Sequence, residues 1–214
     1  MTARSRPLRS DAARNRDKLL DAATDVFGER GLDAPLEHIA RRAGVSIGTL
    51  YAHFPTRETF FDAIYPPRLA ALDQVAAKAL AQADPWDGFA GFLEDLFALL
   101  ATDRGFSDAL GQRFPASPEV TEACRRGYVH AEQIIGRAKD SGQLRPDFQL
   151  PDLVGLTWAI SQVIKESAAT APQAWRRCLA FFLDGLRTEA AHPIGVPPMT
   201  PAQHAVLNPV ADKR

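Results

Sequence analysis

An all-α fold is predicted, in which a three-helix segment containing a helix-turn-helix precedes a larger helical bundle. Apolar residues recur every three or four positions through most of the 214-residue chain, as they do on the buried stripe of a helix. Glycines and prolines divide these periodic stretches into separate helices. The hydrophobic fraction of 46% is sufficient for a core at this chain length.

The composition argues against membrane, disulfide-bonded and zinc-dependent proteins. No run reaches the roughly 18 apolar residues of a membrane helix, and MTARSRPLRSDAARNR lacks the apolar core of a secretory signal. We therefore expect a cytoplasmic protein with no membrane partner. Cys124 and Cys178 lie far apart without a CxxC pair, so we expect both to pack in the core as small apolar residues.

Positive charge is concentrated near the N-terminus, although the net charge of the chain is only −1. Residues 1–18 contain the basic residues Arg4, Arg6, Arg9, Arg14, Arg16 and Lys18, opposed by Asp11 and Asp17. Residues 1–13 are predicted to form a disordered basic arm. Charge alone is equally compatible with an arm that binds a polyanion and with a solvated tail.

Two amphipathic helices are predicted after this arm. The first starts near Arg14, and Gly31 is placed to end it in a left-handed conformation. Its apolar stripe consists of Leu19, Leu20, Ala23, Val26 and Phe27. Pro35 suits the first turn of the second helix, and Gly44 ends that helix. The stripe of the second helix consists of Leu36, Ile39, Ala40 and Ala43.

A very short third helix is predicted within GVSIGTLYAHFPTRE, residues 44–58. Ser46 is a good N-cap and Pro55 ends the helix, which therefore runs from about residue 47 to residue 54. Leu50 and Phe54 lie four residues apart, so we expect them to hold this helix against the first two. Two helices joined by a short glycine-containing turn form a helix-turn-helix.

The other face of the third helix has the chemistry of a DNA-binding surface. Its small leading residues allow the backbone to approach a major groove, and its free amide groups attract a phosphate. We expect Ile47, Gly48 and Thr49 to face base edges and the longer polar side chains to contact the sugar-phosphate backbone. The predicted DNA-binding residues are Ser46, Ile47, Gly48, Thr49, Tyr51, His53 and Arg57.

An ordinary turn of a helical bundle, with Tyr51 packed and His53 solvated, is the alternative interpretation. Either residue alone is more often structural than functional. The combination favours DNA binding, because Gly48 lies in a helix where glycine costs about 1 kcal/mol relative to alanine. A bundle gains nothing in exchange for that cost.

Residues 14–64 closely resemble the DNA-binding domain of the TetR family of bacterial transcriptional regulators. The matching residues are Ala23, Phe27, Gly31, Ile39, Ala40, Ala43, Gly44, Val45, Gly48, Thr49, Leu50, Tyr51, His53, Phe54, Arg57 and Glu58. The resemblance implies DNA contacts by Thr49, Tyr51, His53 and Arg57. It also implies a homodimer whose C-terminal domain binds a small molecule.

Two features depart from the pattern of that family. Family members often have a hydroxyl residue that caps the second helix and touches a phosphate, whereas this chain has Ala34 and Pro35. Tyr65 is followed by Pro66 and Pro67, which disfavour helix at Tyr65 and remove two backbone donors. We expect a break or kink there, either as a hinge or as a plain loop between two helices.

Residues 65–190 are predicted to form an all-helical domain for ligand binding and dimerisation. Helices are expected at about 68–83, from 84–85 onward, at 106–114, at 119–141, from about 147–152 to 170, and from 172 onward. Residues 191–214 are rich in proline and lack apolar periodicity, so they are predicted to be a disordered tail.

Two sets of apolar residues are assigned within this domain. The resemblance implies a dimer interface on the last two long helices, with contacts from Leu156, Ile160, Leu179, Phe182 and Leu186. Packing of both helices inside one subunit is the alternative. The walls of an effector pocket are assigned to Phe97, Phe114, Tyr128 and Trp158, although an aromatic residue at helical spacing is more often part of the core.

Catalysis and metal binding have no support in the sequence motifs. The five histidines lack metal-ligand spacing, and HExxH, GxSxG, P-loop and GxGxxG motifs are absent. We expect neither an enzyme nor a cofactor. We expect a ligand-responsive repressor that a small molecule releases from a palindromic double-stranded DNA operator. The alternative is a helical small-molecule or protein-interaction module that has lost DNA binding.

Overall fold

The computed structural model describes residues 6–111, 118–200 and 202–203, and helices provide the regular structure of these ranges. The helices are α1 (Arg6–Arg30), α2 (Leu36–Ala43), α3 (Ile47–His53), α4 (Arg57–Ile64), α5 (Pro66–Leu80), α6 (Pro85–Thr102), α7 (Arg104–Gly111), α8 (Pro118–Asp140), α9 (Leu150–Ser167) and α10 (Ala174–Leu186). A 3₁₀ turn follows at Thr188–Ala190. The predicted all-α fold is therefore confirmed. Within the described ranges, none of these helices is both long and apolar enough to span a membrane.

Helices α1 to α4 enclose a small aromatic core. Phe54 stacks on Phe60 with their ring centroids 4.0 Å apart, and Phe27 meets Phe60 edge-on at 6.1 Å. Leu50 and Phe54 are buried, as predicted from their spacing. Gly31 and Gly44 adopt φ angles of 77° and 68°, so the left-handed ends predicted for α1 and α2 are also confirmed.

Helix α1 is longer than predicted. It begins at Arg6 rather than near Arg14, so the prediction of a disordered arm is wrong for residues 6–13. Pro7 occupies the first turn, where its missing N–H group is not needed. No further proline or glycine follows before the apolar stripe, so nothing interrupts the helix. Residues 1–5 lie outside the part of the chain that the structure describes.

A single residue joins α4 to α5. Tyr65 has a helical backbone, with φ −91° and ψ −9°. Its N–H group donates to the Phe61 carbonyl at 3.0 Å, and its own carbonyl accepts from the Leu69 N–H group at 2.9 Å. The alternative of a plain loop between the two helices is therefore wrong. The proline pair begins α5, and the N–H groups that the prolines lack are not needed in the first turn of a helix. The predicted break is therefore confined to Tyr65.

The first four helices pack firmly against the C-terminal helices through α7. Tyr65 is buried between Phe61 and Phe106, with ring centroids at 5.0 and 5.5 Å. The Leu32 N–H group donates to Asp108 Oδ2 at 3.2 Å. Burial, together with the carboxylate charge of Asp103, raises the pKa of the Tyr65 hydroxyl. The two parts of the chain therefore share one continuous core.

Charged groups complete this junction. Asp103 is buried, and its Oδ1 accepts from the Phe106 N–H group at 2.9 Å. Its Oδ2 accepts from Arg68 Nε at 3.3 Å. A buried carboxylate requires such partners, because an unpaired charge away from water is costly. Arg68 on α5 therefore holds the start of α7 in place.

Helix α6 lies at the centre of the C-terminal bundle, with α5, α8, α9 and α10 packed around it. Asp84 Oδ1 accepts from the Asp87 N–H group at 2.9 Å and caps the start of α6, where a helix was predicted to begin. Helix α9 starts with a reciprocal cap between Gln149 and Asp152. The central residues of α6 are fully buried, namely Phe89, Leu93, Phe97 and Leu100.

The start of the C-terminal segment is attached to the fold. Arg145 Nη2 donates to the His192 carbonyl at 2.9 Å, so the predicted disorder does not hold at residue 192. Residues 191–200 contain no helix. Residue 201 and residues 204–214 lie outside the described part of the chain.

Substitution of Gly105 tests the packing of α7 on α1. A Cβ atom at this position would lie 2.5 Å from the Tyr65 hydroxyl and 2.9 Å from Phe27 Cβ. We expect Gly105→Ala to lower the free energy of unfolding by about 2 kcal/mol through overpacking. Gly136→Ala is the matched control, because a Cβ atom there meets nothing within 4 Å. That change should stabilise α8 by about 0.5 kcal/mol. Equal effects in urea denaturation would contradict the close packing.

Candidate nucleic-acid interface

The start of α3 is held by the predicted N-cap. Ser46 Oγ accepts from the Thr49 N–H group at 3.1 Å, and it lies 2.8 Å from the Thr49 hydroxyl. At the other end, the Phe54 N–H group donates to the Leu50 carbonyl at 2.8 Å. The helix is thus seven residues long, Ile47–His53, and ends one residue earlier than predicted.

The two sides of α3 differ sharply in exposure. Leu50 is fully buried, whereas Tyr51 is 47% exposed and Ile47 is 39% exposed. The alternative in which Tyr51 is packed is therefore wrong. Gly48 is also exposed, and a Cβ atom there would meet only Ser46 Oγ, at 3.8 Å. Within the described residues, no steric constraint requires glycine at this position.

His53 and Thr49 are partly covered. The His53 ring lies 6.5 Å from the Phe54 ring, and Thr49 is engaged by the Ser46 hydroxyl. Both residues still border the exposed face that carries Tyr51. The structure thus brings Ser46, Gly48, Thr49, Tyr51 and His53 together on one short helix and its cap.

Arg57 has a structural role that the sequence did not reveal. Its Nη1 donates to the Ala34 carbonyl at 2.9 Å, and its guanidinium lies 5.8 Å from the centroid of the Phe27 ring. Pro35, which is the N-cap residue of α2, makes no side-chain cap, and Arg57 braces the connection just before it. A DNA contact by Arg57 would have to use its remaining N–H groups.

Basic residues outside α3 extend this surface. Arg16 is exposed on α1, and its guanidinium lies 5.4 Å from the centroid of the Phe54 ring. Arg41 is exposed on α2 and has no ion pair among the described residues. Arg42 differs, because it pairs with Asp25 at 3.1 Å and with Glu29 at 3.0 Å. The clustering of basic residues in the sequence was the only signal for Arg16.

Of the described residues predicted to line an effector pocket, Phe97 and Tyr128 do not line the open cavity that Trp158 borders. Phe97 is fully buried and packs edge-on against Trp175 at 6.3 Å, so it belongs to the core. Trp158 lines an open cavity of about 380 Å³ between α1, α6, α7 and α9. Tyr128 is partly buried on α8 and does not line that cavity. Phe114 lies outside the described residues.

The five residues predicted to form the dimer interface differ in their exposure within one subunit. Leu156, Ile160 and Leu179 are buried within the subunit, because α9 and α10 pack against α6. Leu186 is partly buried, whereas Phe182 is 41% exposed. The apolar spacing did not single out the neighbouring residue Phe181, which is 63% exposed.

The titratable groups away from α3 do not form a metal site. Within residues 6–111, 118–200 and 202–203, no three His, Cys, Asp or Glu side chains are grouped closely enough to hold a metal ion. Cys124 and Cys178 are both partly buried, and burial raises the pKa of the Cys124 thiol. Arg42 lowers the pKa of Glu29 through a hydrogen bond.

Substitution of Arg57 and of Arg41 compares an arginine that contacts the fold with one that has no ion pair among the described residues. Arg57→Ala removes a charged hydrogen bond and the contact with the Phe27 ring, so we expect a loss of about 2 kcal/mol in unfolding free energy. Arg41→Ala should change it by less than about 0.5 kcal/mol. Chemical denaturation of both variants checks this. Similar stability of the two variants would show that the Arg57 contact contributes nothing.

Comparison with known proteins identifies the family. Residues 19–64 match the model for bacterial regulatory proteins of the tetR family. Residues 84–188 match the C-terminal domain of SbtR-like transcriptional regulators. The HTH-type transcriptional regulator SrpR of Pseudomonas putida is 36% identical over 158 residues, which cover 71% of this chain and 74% of that protein.

Solved structures agree with this assignment. The TetR transcriptional regulator SCO0520 of Streptomyces coelicolor is 32% identical, with a TM-score of 0.50, covering 80% of this chain and 98% of its own. The regulator FadR of Bacillus subtilis, solved with stearoyl-CoA, has a TM-score of 0.58 at 17% identity, covering 82% and 99%. At that identity FadR shows only the shared fold. The chain belongs to the TetR family and is a transcriptional regulator, not an enzyme, with a DNA-binding helix-turn-helix.

Proposed function

We propose that this regulator is a homodimeric repressor that binds a near-palindromic operator and is released from it by a small molecule. The exposed face of α3 supports this most strongly. Tyr51 and Ile47 project from a helix whose opposite side is buried. No other described element covers them, and a protein gains little by exposing large apolar and aromatic groups unless a partner covers them.

The contacts with DNA follow from the order of residues along α3. Ile47, Gly48 and Thr49 lead the helix and read base edges in the major groove. Ser46, Tyr51 and His53 contact phosphates and fix the register. Arg57 supports the surface from inside, and its remaining donors face the backbone of the DNA. Arg16 and Arg41 add sequence-independent attraction to phosphates.

We divide the chain at Tyr65. The DNA-binding domain then comprises α1 to α4, which includes the predicted residues 14–64 and the earlier turns of α1. Residues 65–190 form the ligand-binding and dimerisation domain. The division rests on the proline pair, because it ends the helical run of α4 and begins that of α5.

The second copy binds the outer side of α9 and α10. Phe182 and Leu186 on α10 border an open cavity of about 280 Å³, together with Gly155 and Ala159 on α9. Small residues allow the matching helices of a partner to approach closely, and Phe181 adds exposed apolar area. Pairing two copies forms a four-helix bundle. The two copies of α3 then enter successive major grooves about 34 Å apart.

Release of the operator follows from the packed junction. Helix α7 contacts α1 where Gly105 lies against Phe27, and Asp108 accepts from the Leu32 N–H group just after α1. A shift of α7 therefore changes the position of α1. A ligand that favours one arrangement of the domains lowers DNA affinity by linkage. A coupling of about 2 to 3 kcal/mol lowers the affinity by one to two orders of magnitude.

Operator binding is tested by selecting sites from a random duplex library with the purified protein. We expect a near-palindromic sequence whose affinity falls steeply with salt, because phosphate contacts release counterions. Absence of any enriched sequence, with protein shown to be folded, would contradict the repressor proposal.

The role of Tyr51 is tested on the selected operator. Tyr51→Phe should weaken binding at least about tenfold, because a hydrogen bond to a charged phosphate is lost in each half-site. Its exposure predicts unchanged thermal stability. Leu50→Ala is the contrasting variant and should cost about 3 kcal/mol of stability. A large loss of stability in Tyr51→Phe would show that the phenol serves the core instead.

The dimer interface is tested by placing a charge on it. Phe182→Glu buries a carboxylate in the proposed interface, so sedimentation should show mainly monomer at micromolar concentration. Val129→Glu on α8 is the control, since Val129 is 40% exposed and lies outside the proposed interface. Dimers in both variants, or monomers in both, would contradict the assignment of α9 and α10.

A further inference from the structure

The open cavity at the junction of the two proposed domains has walls from both of them. It measures about 380 Å³, within the range of small-molecule sites. Gly28 and Glu29 on α1 form one wall, and residues of α6, α7 and α9 form the others. We call it the junction cleft. Its walls come from both proposed domains, so neither domain forms the cleft alone.

The acidic and basic side chains that line the junction cleft differ in whether they have partners within the fold. Its two carboxylates have partners in the fold: Glu29 accepts from Arg42 Nη1 at 3.0 Å, and Asp108 accepts from the Leu32 N–H group at 3.2 Å. Its two cations, Arg104 and Lys165, form no ion pair or side-chain hydrogen bond within the described ranges. Glu29 is neutralised by its ion pair with Arg42, whereas Asp108 keeps its charge beside a neutral N–H group. Arg104 and Lys165 therefore leave the cleft with one net positive charge, which attracts an anion.

The remaining lining is largely apolar. Trp158, Leu100 and Ile164 contribute to the walls. Trp158 is partly exposed, and its indole offers a flat face to an aromatic ring or an acyl chain. An occupant that matches the cleft thus has an apolar body and one anionic end.

We propose that the junction cleft binds a small carboxylate with an aromatic or acyl body. Arg104 and Lys165 bind the carboxylate, and Trp158 packs against the apolar part. This inference deepens the proposed function and rests on it for one consequence, the effect on DNA. Because α1 and α9 both contact the occupant, its affinity depends on the arrangement of the two domains.

The test uses 1-naphthoate and its uncharged amide, 1-naphthamide, as matched probes. Binding is followed in the indole N–H signals of the three tryptophans, with Trp158 assigned from Trp158→Phe. We expect naphthoate to shift the Trp158 signal and naphthamide to bind at least about tenfold more weakly. Equal affinity of the two probes, a shift confined to Trp86 and Trp175, or no shift with millimolar naphthoate would overturn the proposal.

Variants test the two cations separately. Arg104→Gln and Lys165→Gln should each weaken naphthoate binding about tenfold, whereas Lys139→Gln on α8 should leave it unchanged. Each variant is first checked for an unchanged unfolding midpoint. Unchanged binding in both cleft variants, or an equal loss in the control, would overturn the assignment of the anion site.

A separate titration with the selected operator distinguishes this inference from the proposed function. The binding of naphthoate is measured on the full chain without DNA, so it does not depend on an operator. If naphthoate does not bind and operator binding is normal, the proposed ligand site in the junction cleft is refuted and the repressor proposal stands. Naphthoate binding by a chain that selects no operator supports the cleft and refutes the repressor proposal.

Discussion

Burial of Leu50 and Phe54 against the aromatic core of the first four helices is the interaction on which the proposed DNA-binding surface depends. A seven-residue helix is not stable in isolation, so α3 takes both its existence and its orientation from this packing. The stack of Phe54 on Phe60 fixes the inner side of the helix. The outer side is then exposed as a consequence, with Tyr51 and Ile47 directed away from the core.

The same core also connects the DNA-binding helices to the rest of the chain. Phe27 contacts Phe60 on one side, and Gly105 of α7 fits closely against it on the other. Tyr65 and Asp103 add a buried polar group and a buried charge to this junction. Such a junction resists small adjustments and favours discrete arrangements. That property is what the proposed release of DNA requires.

Local rules predicted the elements around α3 well. The ends of α1 and α2, the Ser46 cap and the buried pair on α3 follow from glycine conformation, capping chemistry and four-residue spacing. Assignments beyond single helices were less successful. Apolar spacing does not say whether a helix face meets its own subunit or a partner, and Ile160 and Leu179 are buried within their own subunit. The junction cleft was invisible in the sequence, because Glu29 and Lys165 are brought together only by the tertiary fold.

We propose that the outer face of α3 lies against DNA when the regulator is bound. Photocrosslinking with benzoylphenylalanine in place of Tyr51 tests it most directly, using the selected operator and the same replacement at Val129 for comparison. We expect a covalent adduct with the duplex from position 51 and none from position 129. Failure of position 51 to crosslink, in protein that still binds the operator, would show that another surface contacts the DNA.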